Sequence, residues 1–416
     1  MALRTTYHFL VLLAAFGGLG ASTPASPVHV SPDRVTKRAV CTPASAGSAT
    51  VDDVPAIRAA ITRCGNGGTI VLPAGKTYML RSQLDFSGCV NCDFQLEGRI
   101  KASDNLDYWS GKRYMIQISG VKGAKFRSVT GTGEIDGNGQ AAYDRFAADK
   151  SYKRPTLMVI QGGSSDISVS NFRVKNAPNV FFSTGGDATR LSFSRLTLTA
   201  NSKSSNPPKN TDGFDIGAAS HVTMTSISVQ NQDDCIAFKP GINYLTVTDI
   251  TCDGSHGLSV GSLGKAPGSV DTVQNIYVKS AIMKNSSKAA GIKIYPGGPL
   301  HGSAIVKNVT WDGVTIDNCD YAFQYNACYN EDESYCKANP SPAQVTDIYI
   351  KNFSGTTSSK YAPTTVEVFC PVKGAKCQVH VSGWKVKSPK SDSKLLCDNI
   401  SSSSLGTSCV DTDQYA

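Results

Sequence analysis

Beyond its first twenty residues the chain contains no apolar run long enough to cross a bilayer, which excludes a membrane-spanning helix. It has no run of lysine and arginine and no basic patch interleaved with aromatics, so nucleic acid is set aside as a partner. No linker divides the region after residue 38, so its length does not imply two domains. Its apolar segments are poor in strong helix formers and rich in Val, Ile, Thr and Ser, which points away from a helical bundle. The C-x-x-C at Cys89 and Cys92 has no second pair to complete a zinc knuckle, and neither metal nor cofactor is expected.

What is present begins with a leader. Arg4, the apolar "FLVLLAAFGGLG" (9–20) and the small residues of "GASTPAS" read as a signal peptide over 1–21. A Pro/Ser-rich stretch ending at Lys37-Arg38 reads as a pro-segment over 22–38, which leaves residues 39–416 as the mature domain. A secreted, extracellular and monomeric protein is expected. The first 38 residues hold Arg4, Arg34, Lys37 and Arg38 against Asp33, so +5 of the chain's formal +8 lies beyond them. That balance suits an anionic partner without requiring one.

All 13 cysteines lie after residue 38, and behind a signal peptide they imply disulfides. Short separations pair Cys41 with Cys64, Cys235 with Cys252, Cys328 with Cys336, Cys370 with Cys377, and Cys397 with Cys409. Cys89, Cys92 and Cys319 remain unassigned, and the odd count leaves at least one thiol over. Sequons at Asn285, Asn308, Asn352 and Asn399 fit a glycosylated secreted chain.

The organising feature is a repeat of the form apolar-x-apolar-x-x-apolar-x-apolar. It fits Ile167/Val169/Phe172/Val174, Leu191/Phe193/Leu196/Leu198, Val222/Met224/Ile227/Val229 and Leu245/Val247/Ile250/Cys252. It continues through Ile276/Val278/Ala281/Met283 and Val309/Trp311/Val314/Ile316. Each unit predicts two short alternating strands with a bend between them. One unit cannot bury its apolar face alone, whereas stacked coils share a core, so an all-β parallel β-helix is predicted over a β-sandwich. "VDDVPAIRAAITRCG" (51–65) reads as an N-terminal capping helix, with Asp52 or Asp53 as N-cap and Val54, Ile57 and Ile61 on one face. "LPAGKT" (72–77) lacks the first glycine of a phosphate loop and reads as part of the first coil.

A third strand in each coil carries the chemistry. "TDGFDIG" (211–217), "DDCIAFK" (233–239) and "SHGLSVG" (255–261) superpose on Phe214/Ile216, Ile236/Phe238 and Leu258/Val260. In that register Asp212, Asp234 and His256 share one slot, 22 residues apart, and Asp233 stands one position away. Neighbouring strands lie about 4.8 Å apart, so these side chains are expected to stack on one face. Lys293 is placed on an outward slot of the next coil, between Ile292 and Ile294. Crowded carboxyls, an imidazole and an ammonium suit glycosidic hydrolysis, in which one acid protonates the leaving oxygen and another takes a proton from water.

These residues resemble a known family. "NTDGFD" (210–215), "NQDDC" (231–235), "GSHGLSVGSLG" (254–264) and "GIK" (291–293) are similar to the signature blocks of glycoside hydrolase family 28, the polygalacturonases. The resemblance runs over essentially the whole mature region. It implies a right-handed parallel β-helix and metal-free, inverting hydrolysis of the pectin backbone. It makes Asp233 the general acid, Asp212 and Asp234 the holders of the attacking water, and His256 a support for the acid. Lys293 and Tyr329 would contact a galacturonate. The family's usual Arg-Ile-Lys is here Gly291-Ile292-Lys293, which removes a bidentate carboxylate ligand and opens room beside the sugar. "KAAGIK" (288–293) and "CDYAF" (319–323) resemble members acting on galacturonan whose residues carry xylose. The alternatives are an exo- or endo-acting hydrolase of unbranched polygalacturonate, a pectin or pectate lyase, and a non-catalytic carbohydrate-binding solenoid.

Overall fold

A computed structural model describes residues 38–372, 374–390 and 392–412; the expected signal peptide and nearly all of the pro-segment lie outside them. Within the described residues the repeats wind into a right-handed parallel β-helix. All strand pairs around the repeats are parallel, and two sheets of 18 and 12 strands run along the coil stack. The register is the one the repeat predicts. Leu191 pairs with Val222, Val222 with Leu245, Leu245 with Ile276, and Ile276 with Val309, so like positions stack coil upon coil.

The apolar positions of the template are buried throughout, from Ile167 to Trp311 and Ile316. Each long strand turns a corner at an aligned residue of positive φ: Arg195, Ser226, Asp249, Ser280 and Gly313. The two polar positions in mid-template therefore become the bend, and both flanking halves point their apolar residues inward. Phe182 and Phe214 stack within the core at 5.2 Å, with Phe193 edge-on to both. At about 25 cal/mol per Å² of apolar surface removed from water, this shared core is the main stabilising term.

The capping helix α1 spans Val54–Cys64 and buries Val54, Ile57, Ala60, Ile61 and Cys64. Asp53 occupies the N-cap, but its side chain makes no cap bond. Its two oxygens instead accept from Ala46 N–H at 2.7 Å and Met79 N–H at 2.6 Å, tying the entry segment to the first coil. The "LPAGKT" segment is the turn between strands Thr69–Leu72 and Thr77–Leu80. The five expected disulfides form, Cys89 joins Cys92 as a sixth, and buried Cys319 is the free thiol.

Candidate active site

Five successive strands in the middle of the 12-stranded sheet build the site. They are β1 (Phe214–Ile216), β2 (Ile236–Phe238), β3 (Leu258–Leu263), β4 (Lys288–Ile294) and β5 (Tyr321–Asn326). Phe214 pairs with Ile236 and Ile236 with Leu258, which puts Asp212, Asp234 and His256 in one register two residues ahead of their strands. The turns carrying the acids are held by their own backbone. Gly213 N–H donates to Asp234 O, and the Asn231 amide donates to Thr211 O at 2.7 Å and Asp234 O at 2.9 Å. A Cβ on Gly213 would lie 2.6 Å from Cys235 O, so only glycine lets these two turns close together. The Cys235–Cys252 disulfide anchors the same turn to the neighbouring sheet.

The three acids converge. Asp212, Asp233 and Asp234 each present an oxygen within 4.8 Å of the others, a spacing that could also admit a divalent cation. Lys293 Nζ donates to Asp234 Oδ2 at 2.6 Å, and Lys239 stands 3.5 Å from Asp215, so ammonium groups already supply countercharge there. His256 does not stack on Asp234 as a plain column would have it. Its Nδ1 meets Asp233 Oδ1 at 3.1 Å, and Asp234 N–H donates to that same oxygen. Asn210 Nδ2 holds the other Asp233 oxygen at 3.2 Å.

Position along this cluster separates the carboxyls electrostatically. Burial raises the Asp212 carboxyl well above the usual range, and the charges of Asp215, Asp233 and Asp234 add to the effect. Asp215 is raised as well, chiefly by burial against the pull of Lys239, and shares a hydrogen bond with Asp212. Burial also acts on Asp233, but His256, Lys293 and the Asp234 N–H outweigh it and hold that carboxyl at about 2. In the unliganded site the raised acids are thus Asp212 and Asp215, whereas Asp233, the expected proton donor, is lowered.

Lys293 and Tyr329 are both at the cleft. The Lys293 ammonium lies 5.6 Å from the Tyr329 ring centre, and Tyr329 is edge-on to Tyr295. The acids, Lys293 and Tyr329 line one open cleft of about 460 Å³, whose lining also includes Tyr152, Lys153 and Arg154. Lys293 is not free to serve a substrate alone, because Asp234 holds it.

Some site residues escaped the sequence reading. Asp215 and Lys239 occupy outward slots of β1 and just after β2, the same parity argument that located Lys293. Arg154 lies far away in sequence. Its guanidinium donates to Lys209 O and Asn210 Oδ1 and sits 3.7 Å over the Phe146 ring of helix α2 (Gln140–Ala148), bracing the residue that holds Asp233. Nothing in the local sequence marks it. The room left by Gly291 is also not empty: a Cβ there would lie 2.8 Å from Lys288 Cδ and 2.5 Å from Gln324 O.

Fold and site together define a polysaccharide-cleaving solenoid, and comparison with known proteins agrees. The model of glycosyl hydrolases family 28 matches residues 64–409. "Probable endo-xylogalacturonan hydrolase A" of Aspergillus fumigatus is 56% identical over 400 residues, covering 96% of this chain and 97% of the relative. The crystal structure of endo-xylogalacturonan hydrolase from Aspergillus tubingensis superposes with a TM-score of 0.87 at 54% identity, over 90% of this chain and 99% of that one. A polygalacturonase from Erwinia carotovora shares the fold at 18% identity and a TM-score of 0.64, over 86% of this chain and 95% of that one. The chain belongs to glycoside hydrolase family 28. It is a glycoside hydrolase. Among the described residues no helix is long and apolar enough to cross a membrane.

Proposed function

We propose that this chain is a secreted, monomeric, pectin-degrading enzyme that hydrolyses α-1,4-galacturonosidic bonds in xylose-substituted galacturonan. The observation that carries this is the convergence of Asp212, Asp233 and Asp234 in an open cleft with Lys293 and His256 beside them. The names of the relatives and the glycine at 291 direct the choice toward a branched polymer. The mature domain is taken as 39–416, behind a signal peptide and a pro-segment.

Asp233 is the most open of the three acids and serves as the proton donor. At about 2 it is ionised in the free enzyme, so it takes up its proton as substrate binds. A bound sugar excludes water and adds carboxylate charge, both of which favour the neutral acid over an ion pair. That proton passes to the glycosidic oxygen as the bond to C1 breaks. Asp234 Oδ1 is buried with no hydrogen-bond partner in the protein, and it accepts a proton from water while the water oxygen attacks C1. Asp212, paired with Asp215, orients that water.

The nearest oxygens of the three acids lie within 4.8 Å of one another, so the water and the glycosidic oxygen are served from one compact cluster. Inversion is what the family resemblance implies, with water as the nucleophile and Asp234 Oδ1 as the base that takes its proton. The test is a product profile on xylogalacturonan beside polygalacturonate, with and without chelator, read by proton NMR. Saturated oligomers whose new reducing end is first the β anomer, formed faster from the branched polymer and regardless of chelator, support the reading. Unsaturated ends would indicate a lyase, equal or faster cleavage of polygalacturonate the unbranched substrate, and no products a binding protein.

A further inference from the structure

The column of Asp212, Asp234 and His256 has a fourth rung. Leu258 pairs with Ala290, which sets Lys288 in the slot after His256, and Lys288 itself pairs with Tyr321 on β5. Lys288 is only 7% exposed. Its stem crosses β4 between two glycines. A Cβ on Gly257 would lie 3.1 Å from Lys288 Cγ, and one on Gly291 would lie 2.8 and 3.0 Å from its Cδ and Cε. The missing side chain at 291 is therefore the seat of the Lys288 stem.

The Lys288 ammonium has no hydrogen-bond or ion-pair partner among the described residues, whereas Lys293 on the same strand is held by Asp234. The stem is enclosed, whereas the ammonium is not among the buried polar atoms lacking a partner, so the charge is presented at the surface of the strand pair, where an anion can meet it. Burial and the neighbouring Lys293 charge lower its pKa to about 8, so it remains cationic in acidic and neutral solution. Beside it, Tyr321 and Tyr361 stack at 4.7 Å, and Tyr361 keeps an exposed face. The two segments that set this chain apart, "KAAGIK" and "CDYAF", thus meet at a single strand pair.

We propose that Lys288 forms, with Tyr321 and Tyr361, a sugar subsite one coil beyond His256, in which the Lys288 ammonium takes the carboxylate of a bound uronate. It replaces from strand position 288 the cation that Gly291 does not supply. This rests on the galacturonan reading of the site.

The test compares wild type with Lys288→Met, which keeps the buried stem and drops the charge, on xylogalacturonan with free and with methyl-esterified carboxyls. Loss of one charge-assisted hydrogen bond is expected to lower kcat/KM on the free acid about 10- to 100-fold, mainly through KM. The esterified polymer should lose far less. The Met variant should melt no lower than wild type, because the enclosed stem is kept and the ammonium that is lost holds no partner in the protein. Unchanged KM on the free acid, or an equal loss on both polymers, overturns the proposal. Should the Met variant not fold, Lys288→Gln carries the same comparison. If wild type cleaves neither polymer, it is the galacturonan reading that fails.

Discussion

Replacing Lys293 by methionine tests the electrostatic frame of the site. The lysine stem keeps its packing partners in methionine, while the 2.6 Å bond to Asp234 Oδ2 is lost. Asp234 is 1% exposed and its Oδ1 already lacks a partner, so the carboxylate would be left buried without compensation. Removing one member of a buried pair typically destabilises by about 3–5 kcal/mol. Both side chains here are nearly enclosed, so solvent screening relieves little of this. Denaturant unfolding at fixed pH should show that loss in Lys293→Met. A second change, Asp234→Asn, should recover most of it, because the stranded charge is gone, yet activity should stay abolished. A single variant within about 1 kcal/mol of wild type, or a double variant no more stable than the single, would refute the buried-pair argument.

Other consequences follow from the same geometry. Asp233→Asn and Asp234→Asn should each lower turnover about 100- to 10,000-fold while the fold persists by circular dichroism, and near-native activity in either would remove it from the chemistry. Stability against pH separates two acids of opposite shift. Asp212 is raised in the folded state, so its ionisation costs stability as pH climbs from about 4; the melting advantage of Asp212→Asn over wild type should widen over that climb. Asp233 is lowered to about 2, so its contribution is present above pH 4 and lost on descending toward 2, and Asp233→Asn should match wild type only at the acid end. Gly291→Arg would restore the family's usual residue, but its Cβ meets Gln324 O at 2.5 Å and displaces Lys288. It should therefore lower the melting temperature and weaken cleavage of both polymers, and a stable variant that merely switches to polygalacturonate would contradict the seat assigned to Lys288.

The residues of the site were unequally visible beforehand. Asp212, Asp233, Asp234 and His256 could be found because stacking like positions turns a spacing of 22 residues into adjacency. Lys288 obeys the same register, but it follows a 32-residue coil, and the breathing of the repeat length hid it. Arg154 had no such route, since it reaches Asn210 from another wall of the cleft. The capping helix was placed well, yet the use of Asp53 was not, because its partners at residues 46 and 79 come from the fold rather than from the helix.

Periodicity, with the alignment of the third strands, pointed to the parallel solenoid, its register and the face on which the acids gather, because stacking like positions gives the coils one shared apolar core. Which acid is protonated, which lysine is spoken for, and what fills the gap at Gly291 were decided by tertiary structure. Those outcomes depend on distances of a few ångströms and on exclusion of water, and neither is written in the order of residues along a strand.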